Sequence, residues 1–176
     1  MMRLRSTVRD MRAVRRSLNK TIWSGAHNLI DRLLIQRPVA RIALNAYPLY
    51  SSWGGGNQWL RQLVSALRSF GYSVQFSLHG RVDCIIIANS RKSHTVTFGL
   101  DDIMEYRVRH PHVPCLHRIN DTDKHRDTNH IDDLLSQLNE VAQFTIFISD
   151  WVRDYHARRW FDTTKPHAVI MNGASS

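Results

Sequence analysis

The chain has 176 residues, enough for one domain with a hydrophobic core, and its 43% hydrophobic and 22% charged residues are typical of a globular protein. Its apolar runs are too short for a membrane-spanning helix or a secretory signal. The net charge of +9 is concentrated in residues 1–37, which hold nine Lys or Arg residues against two Asp residues, so nucleic-acid binding by the remaining residues is not expected.

Residues 1–37 are predicted to form a basic helical N-terminal extension, because their apolar residues recur at roughly helical spacing. Arg37-Pro38 marks its end. Three roles stay open for this extension. These roles are a solvated helical arm, an amphipathic helix that contacts anionic lipid, and an Arg-rich organelle transit segment.

Strand, glycine loop and helix open the next segment, which is predicted as one domain over residues 38–174. The strand covers 40–46, three consecutive glycines follow, and a helix covers 57–70 with Asn57 as its N-cap. Gly71 is expected to end that helix as a C-cap. The helix is predicted to bury an apolar stripe made of Trp59, Leu60, Leu63, Val64, Leu67 and Phe70.

Strands and helices alternate along the rest of the chain. Further strands are predicted at 73–78, 84–88, 114–119, 144–148 and 167–171. Helices are predicted at 100–109, at 130–142, and from Ser149 or Asp150 to about Trp160, with Trp151, Val152 and Tyr155 facing inward. This alternation predicts an α/β fold: a Rossmann-like, open and mostly parallel sheet with helices on both faces. Cys84 and Cys115 fall in strands and are predicted to be core residues without a disulfide.

The glycines Gly54, Gly55 and Gly56 are a candidate ligand loop. Glycine lets another molecule approach the backbone closely, and the N-terminus of the helix that follows directs N–H groups at such a ligand. The dinucleotide fingerprint is absent, since Trp59 stands where its third glycine would fall, so a nicotinamide or flavin cofactor is not expected. A flexible surface loop is the alternative interpretation.

The stretch from His117 to Asp127 is the richest in chemically active side chains, and it begins at the carboxyl end of a predicted strand. His117 can act as a base or a donor near neutral pH, and Arg118 can hold a phosphate or carboxylate. Asn120 and Asp121 can hydrogen-bond sugar hydroxyls. For Asp123 and Asp127 a polar turn that satisfies its own backbone is favoured.

A metal site is a second interpretation of the region 110–130, where five histidines and three aspartates lie close together in sequence. No ligand spacing typical of a known metal motif accompanies them, so no metal ligand is predicted.

Taken together, the motifs resemble the N-terminal half of a family 4, GT-B-type glycosyltransferase. The resemblance is carried by Gly-Gly-Gly-Asn after the first strand, by Thr97-Phe98-Gly99-Leu100 with Tyr106, and by His117-Arg118-Ile119-Asn120-Asp121. Two further pieces are Ile148-Ser149-Asp150-Trp151 and the segment 169–173, which resembles the Asn-Gly segment leading into the linker between the family's two domains.

The resemblance implies transfer of a hexosyl group from a nucleotide-sugar to an acceptor, without an obligatory metal or other cofactor. It places Gly55, Gly56 and Asn57 near the donor diphosphate and His117 near the transferred sugar as the catalytic residue. Arg118, Asn120 and Asp121 are expected to line the same cleft as donor- or acceptor-binding residues. The implied partners are a nucleotide-sugar and a glycan or lipid acceptor.

The family's second domain would begin just after residue 173, so residues 175–176 are read as the start of its linker. This half is expected to be inactive alone, and a separate C-terminal half is an open partner. A glycan- or partner-binding module without enzymatic activity, and a metal-dependent enzyme using 110–130, remain alternatives. The cytoplasm is the expected compartment, with residues 1–37 as the segment that would reach the inner face of a membrane.

Overall fold

A computed structural model of the protein describes residues 38–50, 54–91 and 93–172. The basic extension predicted for 1–37 and the linker start predicted at 175–176 lie outside these residues. Within the described part, six strands form one parallel sheet. They are β1 (Arg41–Leu44), β2 (Ser73–Gln75), β3 (Cys84–Ile87), β4 (Cys115–Ile119), β5 (Phe144–Phe147) and β6 (His167–Val169).

The strands lie in the order β2-β1-β3-β4-β5-β6. Sequence order reverses between β1 and β3, so the loops that leave these two strands diverge and open a crevice at the carboxyl edge. The helices between the strands are α1 (Gly55–Ser69), α2 (Leu100–Arg109), α3 (Asp123–Arg126), α4 (Ile131–Glu140) and α5 (Asp150–Ala157). The predicted Rossmann-like α/β fold is therefore confirmed.

Alternation of side chains along the strands places the helices on opposite faces of the sheet. Ile42 and Leu44 of β1 pack against α1, whereas Ala43 packs with β3 and β4 residues against α2 and α4. A third cluster joins Ile119 and Phe147 to α4 and α5. The core is thus divided into an α1 side and an α2 side, and this division separates the candidate site residues.

The C-terminus of α1 closes as the sequence predicts. Gly71 has φ of +82°, a conformation that favours glycine, and its N–H donates to the carbonyl of Arg68 at 3.0 Å. The N–H of Tyr72 donates to the carbonyl of Leu67 at 3.0 Å, which completes a Schellman motif. Phe70, predicted to extend the apolar stripe, is 72% exposed, because it follows the last helical residue.

Helix α5 confirms one predicted cap and corrects one predicted core residue. The hydroxyl of Ser149 accepts from the N–H of Val152 at 3.2 Å, and Val152 and Tyr155 are buried. Trp151, predicted to face inward, is 50% exposed; its ring stacks on that of Tyr155 and lies 6.0 Å from Nζ of Lys124, outside the hydrophobic core. The helix also ends at Ala157, short of the predicted Trp160.

Helix α3 is a four-residue element inside the stretch predicted as a loop. Asp123 holds the chain beyond it, since its carboxylate accepts from the Thr128 hydroxyl at 2.6 Å and from the N–H groups of His130, Ile131 and Asp132 at 2.8–3.1 Å. Burial opposes the effect, but these hydrogen bonds together lower the pKa of Asp123 below its ordinary value. The predicted role of Asp123 in satisfying its own backbone is confirmed.

Replacement of Asp123 by alanine is expected to lower the free energy of unfolding by about 1–2 kcal/mol near neutral pH, because four donors lose their acceptor. The pKa of Asp123 is lower in the folded protein than in the unfolded chain, where it is about 4. The Asp123 carboxylate therefore stabilises the fold fully above about pH 4, and this stabilisation is lost as the pH falls through the lower pKa of the folded state. Urea unfolding at several pH values should therefore give a difference from wild type that shrinks below about pH 4. The exposed Asp133→Ala serves as control, and a pH-independent difference would contradict this account.

Both cysteines are free, as predicted. Burial raises the pKa of Cys84 to about 11 and that of Cys115 to about 12, so both thiols stay protonated at neutral pH. Among the described helices, none combines the length and apolar character needed to cross a membrane.

Candidate functional site

The loop of residues 88–99, between β3 and α2, is described at 88–91 and 93–99, and its second part folds back along the chain that leaves β1. Val96 forms an antiparallel bridge with Ala46, and the N–H of Thr97 donates to the carbonyl of Asn45 at 2.9 Å. The loop lies between two pockets at the carboxyl edge of the sheet, and its Asn89 and Ser93 line both of them.

Asn45, buried at the end of β1, fixes the start of this loop. Its Oδ1 accepts from the N–H groups of Ala88 and Asn89 at 2.8 and 3.1 Å, and its Nδ2 donates to the carbonyl of Asn89 at 2.6 Å. One side chain therefore satisfies three backbone groups and sets the position of the loop.

The α1-side pocket is a cavity of about 320 Å³ at the switch between β1 and β3. Its described lining holds the cations Arg91 and Arg118 and no Asp or Glu. The lining residues are Ala46, Tyr47, Leu49, Gly54, Gly56, Asn57, Trp59, Leu60, Ala88, Asn89, Arg91, Ser93, His94, Thr95, Arg118 and Asn120.

The glycines at the start of α1 face open space. A Cβ added at Gly54, Gly55 or Gly56 would meet no atom within 4 Å, and Gly54, the N-cap, has an extended backbone that any residue adopts. Neither packing nor backbone strain accounts for the three glycines, so both the ligand loop and the flexible surface loop stay open as interpretations. The first turn of α1 carries no acidic residue, so its positive end is not neutralised from within.

Asn57 does not cap α1, because the helix begins two residues earlier. Its side chain instead joins the loop after β1: the N–H of Leu49 donates to Oδ1 and Nδ2 donates to the carbonyl of Leu49, both at 2.7 Å. Asn57 thereby positions one wall of the α1-side pocket.

Arg118 is 3% exposed, and its guanidinium lies 3.8 Å from the centre of the Trp59 ring. Its Nη2 donates to Oδ1 of Asn172 at 3.0 Å. No carboxylate among the described residues pairs with it. Burial lowers the pKa of Arg118 to about 10, so the group remains a cation at neutral pH. A buried charge without a counter-ion is costly, and an anion in the pocket would supply one.

Asp121 forms a close ion pair with Arg126 and a longer one with Arg91. Its buried carboxylate accepts from Nε of Arg126 at 2.8 Å and lies 3.6 Å from Nε of Arg91. Because Arg126 takes the closer contact, the charge of Arg91 is only partly balanced and adds to that of Arg118 in the α1-side pocket.

The α2-side pocket is a larger cavity of about 580 Å³ on the opposite face of the sheet. Its described lining holds Asp101 and Asp102 and no Lys, Arg or His. The lining residues are Asn45, Asn89, Ser90, Ser93, Val96, Thr97, Phe98, Gly99, Leu100, Asp101, Asp102, Leu134, Gln137 and Leu138.

His117 is fully buried beneath the α2-side pocket and lines neither pocket. Its Nε2 lies 2.9 Å from Oγ of Ser90, and its Nδ1 lies 3.3 Å from Nδ2 of Asn139, which also donates to Oγ1 of Thr145 at 2.8 Å. Burial, reinforced by the neighbouring His156, lowers the pKa of His117 to about 3. The imidazole is therefore neutral at physiological pH and reaches a ligand only through Ser90.

The structure thus brings together only part of the predicted cleft. Gly56, Asn57, Arg118 and Asn120 line the α1-side pocket, and Gly55 is the first residue of α1 beside it. Asp121 lies behind the pocket in its ion pairs. His117 faces the other side of the sheet, so its catalytic role stays a prediction.

Sequence reasoning missed Asn45, Ser90, Arg91 and the contact of Trp59 with Arg118. Asn45 alone carried a signal, since a polar residue interrupts the apolar run Ile42–Ala46. Ser90 and Arg91 lie in a polar loop, and nothing local distinguishes them from solvated residues.

The histidines and aspartates of 110–130 do not converge. Across the described ranges, no three His, Cys, Asp or Glu residues lie together as a metal site would require. Nothing in the geometry of the described residues therefore favours the alternative of a metal-dependent enzyme.

Comparison with models of known families found no match to this chain. Searches among curated proteins and among solved structures found no similar protein either. The resemblance to family 4 glycosyltransferases accordingly stays a prediction that rests on the sequence motifs.

Proposed function

We propose that this chain binds the diphosphate of a nucleotide-sugar in the α1-side pocket and forms the acceptor-side half of a GT-B-type glycosyltransferase. The observation that carries the proposal is the buried guanidinium of Arg118, which pairs with no carboxylate of the described residues and lines the same pocket as Gly54 and Gly56 at the start of α1. The family resemblance supplies the reaction class.

The chemistry of sugar transfer fits the charges of this pocket. Negative charge develops on the diphosphate as its bond to the sugar breaks, and fixed donors that meet this charge lower the barrier. Arg118, Arg91 and the first turn of α1 are such donors. A second domain, on this chain or another, would hold the nucleotide and complete the site. The cytoplasm is the compartment that we propose.

Titration of the ¹⁵N-labelled full chain with UDP-glucose and GDP-mannose tests this function. We expect saturable shifts of the backbone amides of Gly56 and Asn120, with a Kd on the order of 1 mM or tighter. Uridine and guanosine, which lack phosphate, should leave these amides unchanged.

Equal shifts with the nucleosides, or none with either nucleotide-sugar, would overturn the proposal. Inorganic diphosphate that binds as tightly as both nucleotide-sugars would mean that the pocket contacts only the phosphates, which would overturn recognition of a nucleotide-sugar by this half.

A further inference from the structure

We infer that the α2-side pocket is a second binding site, for a neutral hydroxyl-rich ligand such as a monosaccharide, with Ser90 as a hydroxyl contact that His117 orients. The inference goes beyond the proposed function and does not rest on it. The two pockets lie on opposite faces of the sheet and are separated by the loop of residues 88–99.

Charge disfavours an anionic ligand in the α2-side pocket. The described lining of this cavity contains two carboxylates and no cation. Asp102 accepts from the N–H of Gly99 at 2.8 Å and is engaged at the start of α2. Asp101 has no such bond to any described residue and is available as an acceptor for a ligand hydroxyl.

The surface of the cavity suits a sugar. Phe98, Leu134 and Leu138 provide apolar area for the C–H face of a pyranose ring. Amide and hydroxyl groups, including those of Gln137 and Thr97, stand beside this area and can pair with ring hydroxyls. A volume of about 580 Å³ lies within the usual range for small-molecule sites.

A buried chain of hydrogen bonds sets the direction of the Ser90 hydroxyl. The amide nitrogen of Asn139 can only donate, so Nδ1 of His117 accepts and the ring proton is assigned to Nε2. Nε2 then donates to Oγ of Ser90 at 2.9 Å. The hydroxyl hydrogen of Ser90 is left to donate into the pocket, which makes His117 a positioning residue.

The probe is D-glucose at up to about 100 mM, added to the ¹⁵N-labelled full chain. We expect saturable shifts of the amides of Ser90, Thr97 and Gln137, with Gly56 unchanged. Glucose 6-phosphate should shift these amides less, because its charge meets Asp101 and Asp102. A long-range ¹H–¹⁵N spectrum should find the ring proton of His117 on Nε2.

Gln137→Leu and Ser90→Ala should each weaken glucose binding about fivefold, the effect of one neutral hydrogen bond. Gln62→Leu, on the exposed face of α1, is the matched control and should change nothing. Absence of shifts at the highest glucose concentration, binding that Gln137→Leu leaves unchanged in a folded protein, or a proton on Nδ1 of His117 would overturn the inference.

Discussion

Replacement of Arg118 by methionine is expected to weaken UDP-glucose binding by about thirty- to a hundred-and-fiftyfold, which corresponds to the 2–3 kcal/mol typical of losing a buried charged contact. The free energy of unfolding should stay unchanged or rise by about 1 kcal/mol, because an apolar side chain replaces a buried cation that has no counter-ion among the residues the structure describes. A substitution that lowers ligand affinity without lowering the free energy of unfolding identifies a residue whose role is ligand binding. Calorimetric titration and urea unfolding measure the two quantities.

Two variants make the Arg118 experiment specific. Arg118→Lys keeps the charge but loses the planar fork and its stacking on Trp59, so an intermediate loss of affinity is expected. Arg68→Met makes the same substitution on the exposed face of α1 and should leave affinity unchanged. If Arg118→Met destabilised the fold by several kcal/mol and left affinity intact, the residue would be structural and the account wrong.

Replacement of Asn45 by alanine is expected to lower the free energy of unfolding by about 3–5 kcal/mol, because two backbone N–H groups and one carbonyl would lose their partner in a buried position. Asn45 also fixes the loop that separates the two pockets. Ligand binding on both sides of the sheet should therefore weaken together in the fraction that remains folded. Urea unfolding and the two NMR titrations measure these effects.

Asn129→Ala is the matched control for this experiment. Asn129 is exposed, so the same substitution there should change the free energy of unfolding by less than about 0.5 kcal/mol. A stability of Asn45→Ala within about 1 kcal/mol of wild type would contradict the role assigned to this side chain.

The order and type of the larger elements could be predicted because short apolar runs and helical periodicity are local signals. Helix α2 was predicted at its observed bounds, Leu100–Arg109. Helix α3 was not predicted, because four residues are too few to show a helical pattern of apolar residues. The chain that follows it is held by hydrogen bonds to the carboxylate oxygens of Asp123, which the sequence pattern does not reveal. The inward assignments of Phe70 and Trp151 were wrong because both lie at helix ends, where the periodic face no longer meets the sheet.

The candidate site could be predicted only in part, and one feature of its geometry could already have been inferred from the sequence. His117 and Arg118 are neighbours in β4, so alternation of side chains along a strand already places them on opposite faces. The contacts of each residue could not be read locally. Arg118 meets Trp59 from a helix 59 residues earlier in the chain, and His117 meets Ser90 from another loop. Such long-range contacts depend on the strand order, which the sequence pattern did not determine.

The most direct test of the central claim follows the side-chain Nε–H resonance of Arg118 by NMR while inorganic diphosphate is added to the full chain. The account predicts a saturable shift of this resonance, together with the backbone amide of Gly56, because both line the α1-side pocket. It would be contradicted if Arg118 stayed unchanged while exposed cations such as Lys124 and Arg158 responded, since diphosphate would then bind elsewhere on the surface.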